Sequence, residues 1–216
     1  NVYFQGTTSG GTSLATPSNS EVVTVSGTYY FRSESAGCWG PEGSATVIIN
    51  SIPGPVSVTG DTTQCGGTVI LNASGGSGGT IYWQGTTSHG TSTASPATSQ
   101  SVNTSGTYYF RPYNGACWGT QDSAIVTILP EIGTPVFALG STSSRCQGAG
   151  TTSYGATATN AVGVTYSLDG ASLAAGNTID TATGIVTYLA GWNGISVITA
   201  TAQGCGGPKS ADHFVM

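Results

Sequence analysis

The sequence predicts an all-β protein made of tandem β-sandwich modules, and three observations support this prediction. The stretch VYFQGTTS at residues 2–9 returns as IYWQGTTS at 81–88, and TYYFR at 28–32 returns at 107–111, so one ungapped offset of 79 residues relates two parts of the chain. Strand-like runs rich in Val, Ile, Thr and Tyr are separated by clusters of Gly, Ser, Asn and Pro. No stretch has a convincing helical period.

The middle of the chain shows the strands of one complete module. Strand-like runs lie at 55–60, 68–73, 80–84, 100–104, 106–112 and 123–129. Val69 and Leu71 alternate with Ile70, which gives their strand one face for a core and one for solvent. Six or seven such strands are what an immunoglobulin-like sandwich needs, and Trp83 is expected in its core. The predicted fold is therefore a series of tandem immunoglobulin-like β-sandwiches.

Proline-containing joints at 50–55 and 129–135 divide the chain into three predicted modules. The middle module covers 52–131, and the third module covers 132–216. The first module, 1–51, is partial, because nothing before Asn1 matches residues 52–79. Its missing strands are expected either from preceding sequence of the same chain or from a neighbouring subunit that completes a fibre. The initial NVYFQG resembles a protease recognition scar, but its repeat at 80–85 indicates native sequence.

Composition narrows the possible partners. Charged residues are only 6% of the chain and the net charge is −5, so no basic patch exists for nucleic acid. No apolar run approaches the roughly 18 residues needed to span a bilayer, so membrane insertion is not expected. Ser and Thr make up roughly 28% of the chain, which predicts a hydroxyl-rich surface on a folded protein.

The five cysteines predict disulfides and hence an oxidising, extracellular setting. Cys65 precedes an apolar strand and Cys117 follows a tyrosine-rich one, and Cys146 and Cys205 repeat that placement in the third module. We therefore expect the pairs Cys65–Cys117 and Cys146–Cys205, one in each module, unless the two positions lie at opposite ends of the sandwich. Cys38 is equivalent to Cys117, so its partner is expected before Asn1.

Two sets of residues carry a family resemblance. YWQGTTS, SGTYYFR and a turn with Gly and Cys resemble the immunoglobulin-like repeats of large secreted surface proteins of the Bacteroidota. The third module, with CQGAGTTSYGATATNAVGVTYSLD and GNTIDTATGIVTYLAGWNGISVITATAQGC, is similar to the PKD-like repeats found beside them. The resemblance implies a piece of a long cell-surface adhesin or filament, exported by the type IX route, without catalytic residues.

Catalytic and metal sites find little support in the sequence. His89 and His213 have no Cys, Asp or Glu at a ligand or triad spacing, so both are interpreted as solvated histidines and not as catalytic groups. The nine acids are scattered, so neither an enzyme nor a cofactor is expected. A calcium ion at a joint, held by Asp61 or Glu131 with backbone carbonyls, stays open.

The sequence suggests two kinds of surface chemistry, contact with glycans and attachment of sugars. Most aromatic residues are expected to pack in cores, and Trp118 is the exposed candidate for contact with a glycan. Asp61-Thr62-Thr63, Asp122-Ser123-Ala124 and Asp180-Thr181-Ala182 resemble a bacterial O-glycosylation signal, which makes Thr62, Ser123 and Thr181 candidate sites. The alternative is that these pairs form ordinary turns.

The sequence thus favours a structural role. We expect a non-catalytic stalk segment of an extracellular repeat adhesin or cell-surface filament, whose partners are neighbouring modules or adjacent subunits. The alternative is a carbohydrate-binding region of a secreted multidomain protein, with surface glycans as ligands.

Overall fold

The computed structural model describes all residues 1–216 and confirms the all-β, tandem immunoglobulin-like prediction. Its nineteen strands form six sheets, and the single helix has five residues. No helix is long and apolar enough to cross a bilayer. The chain divides into two compact units, each described by itself below.

The first unit comprises residues 1–55 with the turn segments 75–80 and 112–120. Its sheet is antiparallel, with the strand order β1-β2-β3. The strands are β1 (Val2–Phe4), β2 (Gly27–Ser35) and β3 (Cys38–Val47). The register shifts between Arg32 and Glu34, where the one residue Ser33 of β2 lies opposite the two residues Gly40 and Pro41, so the β-bulge is in β3.

The second unit comprises residues 56–74, 81–111 and 121–216, and it holds most of the middle module. Seven strands form two sheets, in the orders β4-β6-β8 and β5-β10-β9-β7. The strands are β4 (Val56–Thr59), β5 (Thr62–Cys65), β6 (Val69–Gly75), β7 (Thr80–Trp83), β8 (Ser99–Val102), β9 (Gly106–Tyr113) and β10 (Asp122–Leu129). The sequence pattern did not predict β5, which pairs in parallel with β10 and places Cys65 opposite Leu129.

The core of the middle module follows the predicted alternation. Leu71 and Phe110 are fully buried, and Val69 is 7% exposed, whereas Ile70 is 59% exposed. Trp83 packs against this core as expected, with its ring 5.4 Å from Tyr108 in a stacked geometry. Inward-facing residues of both sheets therefore form one hydrophobic layer.

The third module is a sandwich with different details. Its sheets have the orders β12-β19-β18-β15, β13-β17-β16 and β11-β14. The elements are β11 (Val136–Phe137), β12 (Thr142–Ser143), β13 (Gly150–Ser153), β14 (Ala156–Thr157), β15 (Gly163–Leu168), α1 (Gly170–Ala174), β16 (Thr178–Ile179), β17 (Ile185–Tyr188), β18 (Ser196–Gln203) and β19 (Lys209–Val215). The helix begins after Asp169, whose side chain accepts the amide of Ser172 at 2.9 Å.

Residues 1–51 contribute one three-stranded sheet. Phe31 is half-buried, whereas its counterpart Phe110 is 0% exposed. Residues 20–23 form no strand, although the equivalent residues form β8. In the middle module, β8 is held by its pairing with β6.

Candidate functional site

The most distinctive chemical feature is a disulfide that links the middle and third modules. Cys65 ends β5, and Cys205 lies in the turn between β18 and β19. The bond joins them with a Cα–Cα distance of 5.3 Å and a sequence separation of 140 residues. It is therefore a bond across the joint at residues 129–135, within the second unit.

The expected pairs Cys65–Cys117 and Cys146–Cys205 are wrong, since Cys38, Cys117 and Cys146 are free. Cys65 pairs with the last residue of β10, whereas Cys117 precedes its first residue. A strand of eight residues spans about 26 Å, far beyond the reach of a disulfide. The two cysteines of the third module are also at opposite ends of a strand. Cys146 follows β12, which pairs with the end of β19, whereas Cys205 lies before the start of β19.

Hydrogen bonds support the joint beside the disulfide. The Cys205 carbonyl accepts the amide of Ile132 at 3.0 Å, and Asn160 Nδ2 donates to the Glu131 carbonyl at 2.9 Å. Lys209 Nζ donates to the Ile132 carbonyl at 2.7 Å and lies 3.8 Å from Glu131 Oε2. The ion pair is largely exposed and is worth about 0–1 kcal/mol, so the bonds to backbone carbonyls and the disulfide define the joint.

Ile132 is the apolar centre of this joint and is 1% exposed. Two glycines of the turn around Cys205 approach it closely. A Cβ on Gly204 would lie 2.5 Å from Ile132 Cγ2, and one on Gly207 would lie 2.4 Å from Ile132 Cδ1. The turn can therefore cover Ile132 only where it has no side chains.

Residues of the first unit build a similar joint around Pro53, which is buried. A Cβ on Gly119 would lie 2.7 Å from the Pro53 carbonyl oxygen, so this turn also needs a glycine against the joint residue. Asn114 Nδ2 donates to the Ser51 carbonyl at 2.7 Å, as Asn160 does to Glu131. Cys117 lies in this turn, two residues before Gly119, as Cys205 lies two residues before Gly207.

The two carboxylates considered for calcium have protein partners. Asp61 accepts the amide of Ile125 at 2.5 Å, and Glu131 faces Lys209. No group of three or more His, Cys, Asp or Glu side chains lies together in a way that could hold a metal ion.

Trp118 is half-buried and not exposed, which corrects the expectation for its side chain. Its ring stacks on Tyr113 with the centroids 4.5 Å apart and an interplanar angle of 23°. Both residues lie in the first unit, on either side of the turn that contains Cys117.

The candidate glycosylation residues lie in different settings. Thr62 in β5 and Ser123 in β10 are half-buried, and Thr181 is exposed in a turn. Asp122, before Ser123, accepts the amide of Val58 at 2.8 Å. Asp180 accepts the amides of Ala182 and Thr183, which lowers the pKa of its carboxyl. Asp180 thus makes the local turn contacts that the turn interpretation predicts, whereas Asp122 bonds to a residue 64 positions away in the sequence.

The two histidines differ in their surroundings. His89 is exposed in its loop, as expected. His213 is 0% exposed, so its interpretation as a solvated residue is wrong. Its Nε2 lies 2.7 Å from Ser143 Oγ and its Nδ1 lies 2.8 Å from the Gly140 carbonyl oxygen, so both ring nitrogens have partners that tie β12 to β19.

Sequence reasoning missed the role of the glutamine in the repeated Y-x-Q-G motif. Gln84 is 6% exposed, and its side-chain amide donates to the Ser92 carbonyl at 2.9 Å and accepts the Ser92 amide at 3.0 Å. Gln5 makes the same two bonds to Ser13, at 2.9 and 2.8 Å. The motif therefore fixes the loop that follows β1 or β7. Its return at an offset of 79 residues was the available signal.

Together these features define a tandem immunoglobulin-like β-sandwich protein with a covalent joint between two modules. No family model matches the sequence, and no curated protein matches it. Among solved structures, the insect immune protein hemolin is similar at 16% identity and a TM-score of 0.44, over 100% of this chain and 67% of that chain. Immunoglobulin domains 1–4 of Sidekick-1 are similar at 10% identity and a TM-score of 0.47, over 88% of this chain and 57% of that chain.

The eight N-terminal immunoglobulin domains of Down Syndrome Cell Adhesion Molecule show 12% identity and a TM-score of 0.47, over 99% of this chain and 32% of that chain. The chain thus spans about two thirds of the hemolin chain and less of the other two. At these identities and TM-scores the likeness identifies no family and assigns no activity.

Proposed function

We propose that this chain is a structural, non-catalytic stalk segment of an extracellular repeat adhesin or cell-surface filament. The observation that carries the proposal is the disulfide across a joint, between Cys65 and Cys205. A disulfide inside one sandwich would stabilise only that module. A disulfide between modules fixes one relative to the next, which is what a stalk requires.

The joint also resists bending without the disulfide. Ile132 is buried beneath the turn around Cys205, and the turn bonds directly to the connecting segment. Bending at this joint would expose Ile132 and break the bond from Lys209 Nζ to its carbonyl. Apolar burial and hydrogen bonding therefore act on the same few residues that the disulfide holds together.

The disulfide also supports the proposed location. Such bonds persist in oxidising environments and are rare where thiols are kept reduced. An extracellular setting follows for a chain that depends on one. The resemblance of the repeats to Bacteroidota surface proteins, with a PKD-like third module, supports export by the type IX route and a place at the cell surface.

The stalk proposal is tested by the rigidity of the joint. Paramagnetic labels are placed on non-natural side chains at the exposed positions Ser101 and Thr187, one in each module of the second unit. We expect a narrow distance distribution in the oxidised chain and a broader one in the Cys65→Ser variant. Cys146→Ser removes a free thiol and serves as the control. A broad distribution in the oxidised parent chain would contradict a stalk role.

The alternative function, carbohydrate binding, is favoured by one observation, the stacked pair of Tyr113 and Trp118. Stacked aromatic rings offer flat surfaces on which a sugar can pack. Binding to a polysaccharide array that disappears in Trp118→Ala would support this alternative, and the equivalent Trp39→Ala is the control. Absence of binding to any polysaccharide would favour the stalk.

We also propose sugar attachment at Thr181, the most exposed of the three candidate hydroxyls. The supporting observation is that its turn leaves the side chain at the surface while Asp180 holds the backbone. Intact-mass measurement of protein from its native source tests this, and a mass equal to that of the bare chain would contradict it. Thr62 and Ser123 are tested in the same spectrum.

A further inference from the structure

The five cysteines occupy two kinds of position. The strand-end position lies at the end, or within three residues after the end, of the strand that pairs in parallel with the last strand of a module. Cys65 and Cys146 each adjoin a residue whose amide bonds to the end of that last strand. Cys65 precedes Gly66, whose N–H donates to the Leu129 carbonyl at 2.9 Å. Cys146 follows Arg145, whose N–H donates to the Met216 carbonyl at 3.0 Å. The turn position precedes the last strand of a module or begins it.

Three cysteines occupy the turn position, and each is followed two residues later by glycine. They are Cys38, Cys117 and Cys205. The observed disulfide joins the strand-end cysteine of the middle module to the turn cysteine of the third. The three free cysteines therefore lie at the same two kinds of position as the two cysteines of this disulfide.

The joint of the first unit shows that Cys117 is placed as Cys205 is. The glycine after it covers the buried joint residue, here Pro53, and the connecting segment passes beside its sulfur. Cys117 Sγ lies 3.9 Å from the Asn50 carbonyl oxygen. The strand-end position that would face it lies 79 residues before Cys65 and thus outside residues 1–216.

Cys146 lies at a site that can receive a turn. It is exposed, and it lines a cavity of about 180 Å³ together with Arg145, Tyr188, Trp192 and Met216. The Arg145 guanidinium lies over the Tyr188 ring at 4.0 Å and forms one wall. The cavity thus opens beside the end of β19, and Cys146 lies there two residues beyond the position that matches Cys65 beside β10.

We propose that Cys38, Cys117 and Cys146 are open halves of a series of disulfides between modules. Cys146 forms a disulfide with the turn cysteine of another module of this kind. Cys38 and Cys117 each form a disulfide with a strand-end cysteine. Each bond forms from two thiols by exchange with a low-molecular-weight disulfide such as oxidised glutathione. The two protons and two electrons of the thiols pass to that oxidant, which becomes two thiols. This inference extends the proposed stalk but rests on the position of the cysteines alone.

The first test supplies the missing strand-end cysteine to Cys117. A copy of residues 52–79 is placed directly before Asn1 in the full chain, which restores the 79-residue register and adds the equivalents of β4, β5 and β6. After oxidation with glutathione disulfide, we expect peptide mapping to find a bond between the added copy of Cys65 and Cys117. Titratable thiols then fall from three to two, although one cysteine has been added.

The matched control is the same extended chain with Ser in place of the added cysteine, which keeps three thiols. A bond from the added cysteine to Cys38 would place the disulfide within one sandwich and overturn the proposal. Absence of the new bond, in a chain that retains Cys65–Cys205, would overturn it for this joint.

The second test supplies a turn cysteine to Cys146 and does not depend on the first module. A copy of residues 130–216 is added after Met216 of the full chain. We expect a bond between Cys146 and the added copy of Cys205, and its loss in the Cys146→Ser variant. A free Cys146 beside an intact Cys65–Cys205 bond would overturn the proposal here. Since neither test measures rigidity of the existing joint, failure of this inference and failure of the stalk role are distinguishable.

Discussion

Reducing the disulfide should greatly increase the length to which the chain extends when it is pulled from its ends. With the bond intact, tension passes from Cys65 directly to Cys205, so the residues between them cannot be extended. The sequence separation is 140 residues. A chain reaches at most 3.3–3.6 Å per residue, so the bond hides about 490 Å of extension.

Optical tweezers with handles at Asn1 and Met216 measure this length. In the oxidised chain only the segments outside Cys65 and Cys205 can contribute, whichever module unfolds. Cys205→Ser, or addition of a reductant, should increase the final contour length by about 490 Å. Cys146→Ser keeps the disulfide and should match the parent chain.

Two results would refute this reasoning. Equal contour lengths before and after reduction would show that the bond does not form in solution. An increase of only about 180 Å would correspond to the 52 residues between Cys65 and Cys117, and it would indicate a bond within the middle module.

Three further predictions concern stability, each measured by urea unfolding. Gly204→Ala should destabilise the chain by about 1–3 kcal/mol, because its Cβ would meet the buried isoleucine of the joint at 2.5 Å and its φ is +151°. Gly163→Ala has open space around its Cβ, so it should change the free energy of unfolding much less. Phe110→Ala should lower the free energy of unfolding by about 3–5 kcal/mol, and Phe31→Ala should lower it clearly less, because only the Phe110 ring is fully buried. Burial raises the pKa of the Asp169 carboxyl, but hydrogen bonds outweigh it and lower the pKa overall. Asp169→Ala should therefore cost about 1 kcal/mol at pH 7, and this difference should shrink as the pH falls below about 4; a difference that does not change with pH would contradict the prediction.

The sequence was sufficient for the fold class and for the core of the middle module. Alternation predicted one buried and one exposed face for this strand, and the structure buries Leu71 and exposes Ile70. These features depend on local period and on burial, which a single sequence records directly. The deeper burial of the Phe110 ring, compared with the Phe31 ring, could not be predicted in the same way, because this burial depends on the second sheet.

The disulfide could not be predicted for a physical reason. The repeat showed which cysteines are equivalent, but equivalence does not say at which end of a sandwich each one lies. That depends on β5, a four-residue strand of sequence TTQC that pairs in parallel with β10 and shows no alternation of apolar and polar residues. His213 was misjudged similarly, since its burial depends on contacts with Gly140 and Ser143, some 70 residues away.

The joint explains why a cysteine and a glycine occur together in these turns. Closing a loop of 140 residues by chance costs about 5 kcal/mol of chain entropy, so the two sulfurs need to be brought together before they can bond efficiently. Gly207 allows the turn to cover Ile132, and the Cys205 carbonyl then binds the Ile132 amide. Packing of the joint thus places Cys205 within reach of Cys65, and the bond in turn keeps Ile132 covered. The same logic applies to Gly119 and Pro53, where the turn is already packed and Cys117 is free. Because the turn around Cys117 packs without a disulfide, a module docked by its own joint would present its cysteine at the joint whether or not an oxidant is present.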